Sequence, residues 1–171
     1  LLDDAMTVAD FTASDPAPAF RDMLALIDGG EAALAQARAL AAAPKATVRL
    51  ADARLRAPVP EPRQMRDFLA FEKHIRQARA NRHLMGIQGQ TRDPAKVEIP
   101  EVWYRQPIYY KCNRFSVIGS GEDVIWPRYS NLMHYELEFG IFIGKNGKNV
   151  SREAARSYIF GYTIFNDFSA R

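Results

Sequence analysis

The chain has 171 residues, of which 47% are hydrophobic and 11% aromatic, so it can bury a real core and is not disordered. Its net charge of +3 is spread along the chain, which argues against nucleic acid as a partner. One cysteine excludes an intrachain disulfide framework and a multi-cysteine zinc site, and it suits a reducing compartment. The apolar runs are shorter than the roughly 20 residues of a membrane span. We therefore expect a cytoplasmic protein that binds neither nucleic acid nor a membrane.

The two ends of the chain suggest a longer polypeptide. It begins at Leu1 without a methionine and stops at Arg171 directly after an apolar segment. We therefore expect further residues of the same polypeptide on both sides.

The N-terminal part is rich in Ala and Leu. Apolar residues between positions 20 and 43 recur at helical spacing, and Gly29-Gly30 interrupts them, so the pattern predicts two helices that meet at a turn. Residues 47–55 alternate and predict a strand. Three prolines then follow at positions 58, 60 and 62, which is typical of a linker. We predict a small accessory region over residues 1–60 and a second domain that begins at residue 61.

A helix is predicted directly after the linker. Residues 64–82 place Phe68, Phe71 and Ile75 on one side and basic residues on the other. On such a helix Asp67 and His74, seven residues apart, lie almost two whole turns apart and face one side. An acid and a base in that arrangement leave room for a small substrate, although a helix-capping Asp and a packed His fit the same spacing.

The remainder of the chain is rich in aromatic and β-branched residues. Strand-like sequence extends over 103–125 with a turn at Gly119-Ser120-Gly121, and again over 132–143, where a Gly-Lys-Asn-Gly hairpin signal follows. A short helix is predicted over 151–157, and a strand buried on both faces over 158–165. Strands with helices packed against them favour an α+β fold over an α/β fold.

Two glutamates stand side by side on the predicted strand at 132–143. Glu136 and Glu138 project from the same face, about 6 to 7 Å apart along the backbone. Water would screen the pair on a solvated face, but the apolar flanking residues belong to a buried sheet, where adjacent carboxylates need a cation. Oxygen ligands favour Mg²⁺, Ca²⁺ or Mn²⁺ over Zn²⁺.

Further ligand candidates lie close by in the sequence. Asp167 follows the apolar run at 158–165, where it suits either a metal site or a turn. His134 alternates with the two glutamates and would complete a His/Glu/Glu set, as in a metal-binding barrel, although the absence of a His-x-His pair argues against that alternative. The chain has no Gly-x-Ser-x-Gly elbow and no phosphate or dinucleotide loop, which argues against serine hydrolases, NTPases and nicotinamide enzymes.

Taken in order, these motifs strongly resemble the fumarylacetoacetate hydrolase family. The most specific are YELEFGIFIGK at residues 135–145 and IFGYTIFNDFSAR at residues 159–171. The segments LRAPVP at 55–60 and DFLAFEKH at 67–74 are similar to the start of that family's catalytic domain. The resemblance covers most of the chain from about residue 55.

The resemblance implies a fold and a set of site residues. The fold is a mixed β-sandwich roll, usually dimeric, of which residues 61–171 would form the N-terminal part, with the remaining strands beyond Arg171. Family members hold Mg²⁺, Ca²⁺ or Mn²⁺, and the ligands map onto Asp67, Glu136, Glu138 and Asp167. The general base maps onto His74. Tyr110 is similar to a substrate-contacting tyrosine of the family.

The resemblance also implies an activity. We expect a metal-dependent hydrolase that cleaves a carbon–carbon bond in a 1,3-diketone or acylpyruvate-type substrate, where the metal stabilises the enolate that leaves and His74 activates water. Two alternatives stay open. One is an isomerase or decarboxylase of 2-oxo acids that uses the same metal site, and the other is a catalytically silent relative that binds small molecules.

Overall fold

The computed structural model of the protein describes residue 2, residues 5–88 and residues 92–170. Over these residues the strands are β1 Thr7–Ala9, β2 Thr47–Arg49, β3 Asp67–Phe68, β4 Tyr109–Tyr110, β5 Met133–Ile143 and β6 Ile159–Ala170. The α-helices are α1 Phe11–Ser14, α2 Met23–Asp28, α3 Gly30–Ala42, α4 Glu72–Ala80, α5 Glu101–Arg105 and α6 Arg152–Ala155. This mixture confirms the α+β class, whereas the sandwich roll stays a prediction.

The chain divides into two compact units, each built from segments that are distant in sequence. The first unit comprises Leu1–Pro60, Ile118–Glu122 and Leu137–Asn166. The second comprises Glu61–Val117, Asp123–Glu136 and Asp167–Arg171. Nowhere in the described parts of the chain is a helix both long and apolar enough for a bilayer crossing.

The two helices predicted in the N-terminal part are confirmed as α2 and α3. The carboxylate of Asp22 caps α2 by accepting a hydrogen bond from the Ala25 N–H at 2.8 Å. Gly30 opens α3 with a φ of 58°, a left-handed conformation that glycine adopts at little cost. Phe20 and Leu40 pack in a small apolar cluster beneath these helices.

The strand predicted over 47–55 is shorter than expected. Only Thr47–Arg49 forms β2, which pairs antiparallel with β1. A 3₁₀ turn then covers Leu50–Asp52, and the Arg49 guanidinium holds the Asp52 carboxylate across it at 2.7 Å. The Ala53 N–H also donates a hydrogen bond to the Leu50 carbonyl. Because this hydrogen bond and the ion pair turn the backbone at Leu50, the alternating pattern does not continue as a strand.

The helix predicted over 64–82 is wrong in its first half. Asp67 and Phe68 form β3, which pairs antiparallel with β4 so that Asp67 lies opposite Tyr110. The rings of Phe68 and Tyr109 lie 5.4 Å apart across the pair, and α4 begins only at Glu72. Asp67 and His74 therefore do not share one helix face, because pairing with a distant segment replaces local helical hydrogen bonds.

The strand-like stretch over 103–125 also departs from expectation. Its start belongs to α5, where Glu101 and Arg105 form an ion pair one turn apart that favours a helix despite the β-branched and aromatic residues between them. Strand structure is confined to β4. The predicted glycine turn is confirmed, with Gly121 at a φ of 81°.

β5 is confirmed and is followed by α6, whose first turn Ser151 caps as predicted through the Ala154 N–H at 3.3 Å. β6, which pairs with β5, is longer than expected, so Asp167 lies within the strand and not at its exit. The expectation that this strand is buried on both faces is wrong, because its residues alternate in exposure and the Ile164 side chain is 76% exposed.

Gly140 on β5 provides a test of the close approach between β5 and β6. Its replacement by alanine places a Cβ 2.6 Å from the γ-methyl of Thr163, a short group that cannot swing aside. We expect Gly140→Ala to destabilise the full-length protein by about 1–3 kcal/mol, measured by urea unfolding. Adding Thr163→Ser, which removes that methyl, should restore most of the loss.

Gly161 on β6 is the matched control, because an added Cβ there meets no described atom within 4 Å. Gly161→Ala should leave the unfolding midpoint close to that of the wild type. Equal midpoints for Gly140→Ala and Gly161→Ala would contradict the close approach at Gly140.

Candidate metal centre

The second unit contains four of the five residues that are predicted as metal ligands or general base. β3 carries Asp67, the first turn of α4 carries His74, and β5 and β6 carry Glu136 and Asp167. Two different strand pairs and one helix therefore contribute to a single group of ionisable side chains.

Asp67 and Asp167 are drawn together although 100 positions separate them in the sequence. Each offers a carboxylate oxygen, and these oxygens lie within 4.8 Å of each other. Burial raises the pKa of the Asp67 carboxyl, the nearby Glu136 carboxylate raises it further, and His74 partly opposes this effect. The negative charge of Asp67 is therefore disfavoured in this group when no cation is bound.

His74 stands directly beside the carboxylates. Its Nε2 lies 3.5 Å from an Oε of Glu136, and both side chains are about two-fifths exposed, at 42% and 38%. The imidazole is thus in contact with a carboxylate and within reach of solvent or a small molecule. This geometry allows His74 to accept and deliver a proton at the edge of the site.

Glu138 and His134 are placed by the alternation of β5. Residues 134, 136 and 138 lie on the less exposed face of the strand, whereas Tyr135, Leu137 and Phe139 lie on the exposed face. Glu138 therefore shares a face with Glu136, as predicted. The Nε2 atom of His134 is buried and has no hydrogen-bond partner among the described residues.

Tyr110 lies next to Asp67 through strand pairing. The two residues are Cα partners in the β3–β4 ladder, and partners in such a ladder place their side chains on the same face. The Tyr110 side chain is 69% exposed, so its hydroxyl is open to a bound small molecule.

Several residues around the site have no role in the sequence-based prediction. Arg76 binds the Glu72 carboxylate through Nε at 2.8 Å and Nη2 at 2.6 Å. The Arg76 hydrogen bonds, together with one from Tyr104, hold the pKa of Glu72 below its usual range. The spacing of Glu72 and Arg76 by four residues indicates an ion pair on a helix, but nothing local in the sequence indicates the contact with Tyr104.

The donor set suits a hard divalent cation. The predicted ligands are all carboxylates, which favour Mg²⁺, Ca²⁺ or Mn²⁺. Burial and the negative charge of Glu136 together raise the pKa of Asp67, and a bound cation would offset both effects. The residues present therefore fit a divalent metal ion.

Asp67→Asn tests this electrostatic crowding in the metal-free protein. Because folding raises the pKa of Asp67 above the ordinary 3.8, the folded state retains its proton to higher pH than the unfolded state. Wild-type stability therefore falls, relative to the variant, as pH rises from 3.8 through the raised pKa. We expect Asp67→Asn to be more stable than the wild type near neutral pH, because the neutral amide lacks the charge that folding disfavours.

Urea unfolding at a pH of about 3 and about 7 measures the effect, with the gain present only at the higher pH. Asp123→Asn, which changes an exposed carboxylate of the same unit, is the control and should show no such gain. A loss of stability in Asp67→Asn at neutral pH would show that the Asp67 charge is not disfavoured.

Comparison with known proteins identifies the family to which the chain belongs. Residues 64–171 match the family model described as fumarylacetoacetate (FAA) hydrolase C-terminal. An uncharacterised protein of Methanocaldococcus jannaschii is 41% identical over 75 residues, which cover 44% of this chain and 30% of that protein. The fumarylacetoacetate hydrolase domain-containing protein 2 homolog of Dictyostelium discoideum is 39% identical over 77 residues, which cover 45% of this chain and 24% of that protein.

A third relative matches over a longer stretch. The oxaloacetate tautomerase YisK of Bacillus subtilis is 30% identical over 122 residues, which cover 71% of this chain and 35% of that protein. Each match thus spans about a third or less of the length of the relative. Because the family model matches more than half of the chain and the quoted motifs lie within the matched part, the chain belongs to the fumarylacetoacetate hydrolase family.

Proposed function

We propose that this protein catalyses metal-dependent proton transfer at a carbon of a 2-oxo acid, namely the keto–enol tautomerisation of an oxaloacetate-type substrate. The observation that carries the proposal is the contact between His74 and Glu136 at the edge of a group of carboxylates that also includes Asp67. A base beside a cation site is the arrangement that enolisation requires.

The ligands of the ion would be Asp67, Glu136, Glu138 and Asp167. Asp67 and Asp167 are already close together, and Glu138 shares a face of β5 with Glu136. A divalent cation at this site supplies a Lewis acid that stabilises the negative charge developing on the substrate oxygens.

His74 carries the proton. In the direction from keto form to enol form, its imidazole takes a proton from the carbon next to the carbonyl group, and the imidazolium then gives that proton to the oxygen of the resulting enolate. In the reverse direction the protonated imidazole returns the proton to carbon. The Glu136 carboxylate lies 3.5 Å from Nε2 of the imidazole that carries the proton.

Tyr110 would bind the substrate. It is the cross-strand partner of Asp67 and is largely exposed, so its hydroxyl can donate a hydrogen bond to a carboxylate or carbonyl group held beside Asp67.

The choice of tautomerisation draws on a relative. The Bacillus subtilis protein, whose match covers 71% of the chain, is named an oxaloacetate tautomerase. The same site also serves the hydrolysis expected from the sequence. In that reaction His74 takes a proton from water as its oxygen adds to the carbonyl carbon, the carbon–carbon bond breaks, and the departing carbanion takes up a proton. The resemblance of the Asp67 and His74 segment to the fumarylacetoacetate hydrolases favours this second candidate.

Three further expectations stay predictions. A decarboxylase or a silent small-molecule-binding relative would hold the metal without tautomerisation or hydrolysis. A homodimer is expected from the family resemblance and is tested by sedimentation of the full-length protein. A cytoplasmic location is expected from the single cysteine.

His74→Gln tests the assigned base. With saturating Mg²⁺, we expect it to lower turnover by at least about 10²-fold, because general base catalysis contributes about 10² to 10⁴-fold. Mg²⁺ affinity, measured by calorimetry, should stay within about threefold, whereas Glu136→Gln should weaken it by at least about tenfold. His83→Gln is the control for loss of a histidine outside the proposed site.

The substrates separate the two candidate reactions. Loss of the ultraviolet absorbance of enol oxaloacetate reports tautomerisation, and release of two acids from acetylpyruvate reports hydrolysis. Normal turnover by His74→Gln on either substrate rejects His74 as the base. Wild-type protein that binds Mg²⁺ but converts neither substrate would favour the decarboxylase or the silent relative.

A further inference from the structure

We propose that Trp103 and Tyr104, which are neighbours on α5, are positioning residues that fix the Asp67 carboxylate relative to the His74 imidazole. This inference rests on the proposed function, because it concerns the spacing of a metal ligand and a base. All of the residues involved belong to the second unit.

Trp103 holds the end of β3. Its indole N–H donates a hydrogen bond to the Leu69 carbonyl at 2.7 Å. The Leu69 N–H donates in turn to the Ile108 carbonyl at 3.0 Å. Both backbone polar groups of Leu69 are therefore fixed, two residues after Asp67 and directly after the strand that carries it.

Tyr104 holds the start of α4. Its hydroxyl interacts with the Glu72 carboxylate, which accepts two hydrogen bonds from Arg76. Arg76 donates further to the carbonyl of Val97 in the segment that leads to α5. Glu72 opens α4 and lies two residues before His74, so this network fixes the helix at the turn that carries the base.

The segment that connects Leu69 to Glu72 is exposed. Only Ala70 and Phe71 separate Leu69 from Glu72, and Phe71 is 71% exposed with an extended backbone. Burial of these side chains therefore contributes little to the angle between β3 and α4. The rings of Trp103 and Tyr104 pack edge to face with centroids 4.8 Å apart, so a single rigid pair contacts both sides of the connection.

The two positions make separable contributions. Loss of the Trp103 hydrogen bond loosens the segment of Asp67, the proposed metal ligand. Loss of the Tyr104 hydroxyl loosens the helix of His74, the proposed base. A role that is only structural would lower stability at both positions without separating metal affinity from turnover.

The test uses conservative variants of the full-length protein. Trp103→Phe and Tyr104→Phe keep the rings and remove the donors. Trp126→Phe is the matched control for the first, because it removes an equivalent indole hydrogen bond, to the Ser130 carbonyl at 2.6 Å, outside the proposed site. Tyr129→Phe, at a residue that is 86% exposed, is the control for the second.

Mn²⁺ affinity is measured by calorimetry on metal-free protein, and kcat and KM at saturating Mn²⁺ on whichever of oxaloacetate and acetylpyruvate the wild type converts. We expect Trp103→Phe to weaken Mn²⁺ affinity roughly three- to tenfold, as for the loss of one hydrogen bond. We expect Tyr104→Phe to lower kcat by a similar factor and to leave Mn²⁺ affinity within about twofold. Both controls should match the wild type within about twofold.

The outcomes distinguish this inference from the function on which it rests. Wild-type protein without Mn²⁺ binding or turnover rejects the proposed function and the positioning roles with it. If the wild type binds Mn²⁺ and is active, then variants that match their controls, or that lose only thermal stability, overturn the positioning roles alone. Since each variant has its own readout, Tyr104→Phe decides the question even if Trp103→Phe does not fold.

Discussion

The site depends on one constraint, the crowding of carboxylates in a partly desolvated place. Asp67 approaches Asp167 and Glu136, and its pKa is raised by burial and by that neighbouring charge. Two responses to such repulsion are available here, namely the contact of Glu136 with His74 and the binding of a hard cation. A hard cation held by these carboxylates would lie next to the His74 imidazole, which is the arrangement that the proposed function requires.

Very short elements present these side chains. β3 has two residues and α4 has nine, so neither is stabilised much by its own hydrogen bonds. Their geometry comes from neighbours instead. β4 pairs with β3 and brings Tyr110 beside Asp67, while α5 contacts Leu69 and Glu72 on either side of the exposed connection. The positioning of Asp67 and His74 that we propose therefore depends on side chains that take no part in the proposed chemistry.

Much of the fold follows from local pattern, and the failures share one cause. α3, β5 and the capped α6 have strong periodicity or clear end signals, and the sequence predicts all three. The helix predicted over 64–82 fails in its first half because β4, forty residues later, pairs with Asp67 and Phe68. Burial of β6 is overestimated because an apolar run does not reveal which face is covered.

The sequence by itself determined which chemical groups are available, since the motifs around Glu136, Asp167 and His74 supply carboxylates and an imidazole whatever their surroundings. It also determined the family, which residues 64–171 confirm. Only the tertiary structure decided how these groups meet. Asp67 and His74 are placed by a strand pair and a helix and not by two turns of one helix, because the strand partner of Asp67 lies at Tyr110, and local periodicity carries no information about such a distant partner.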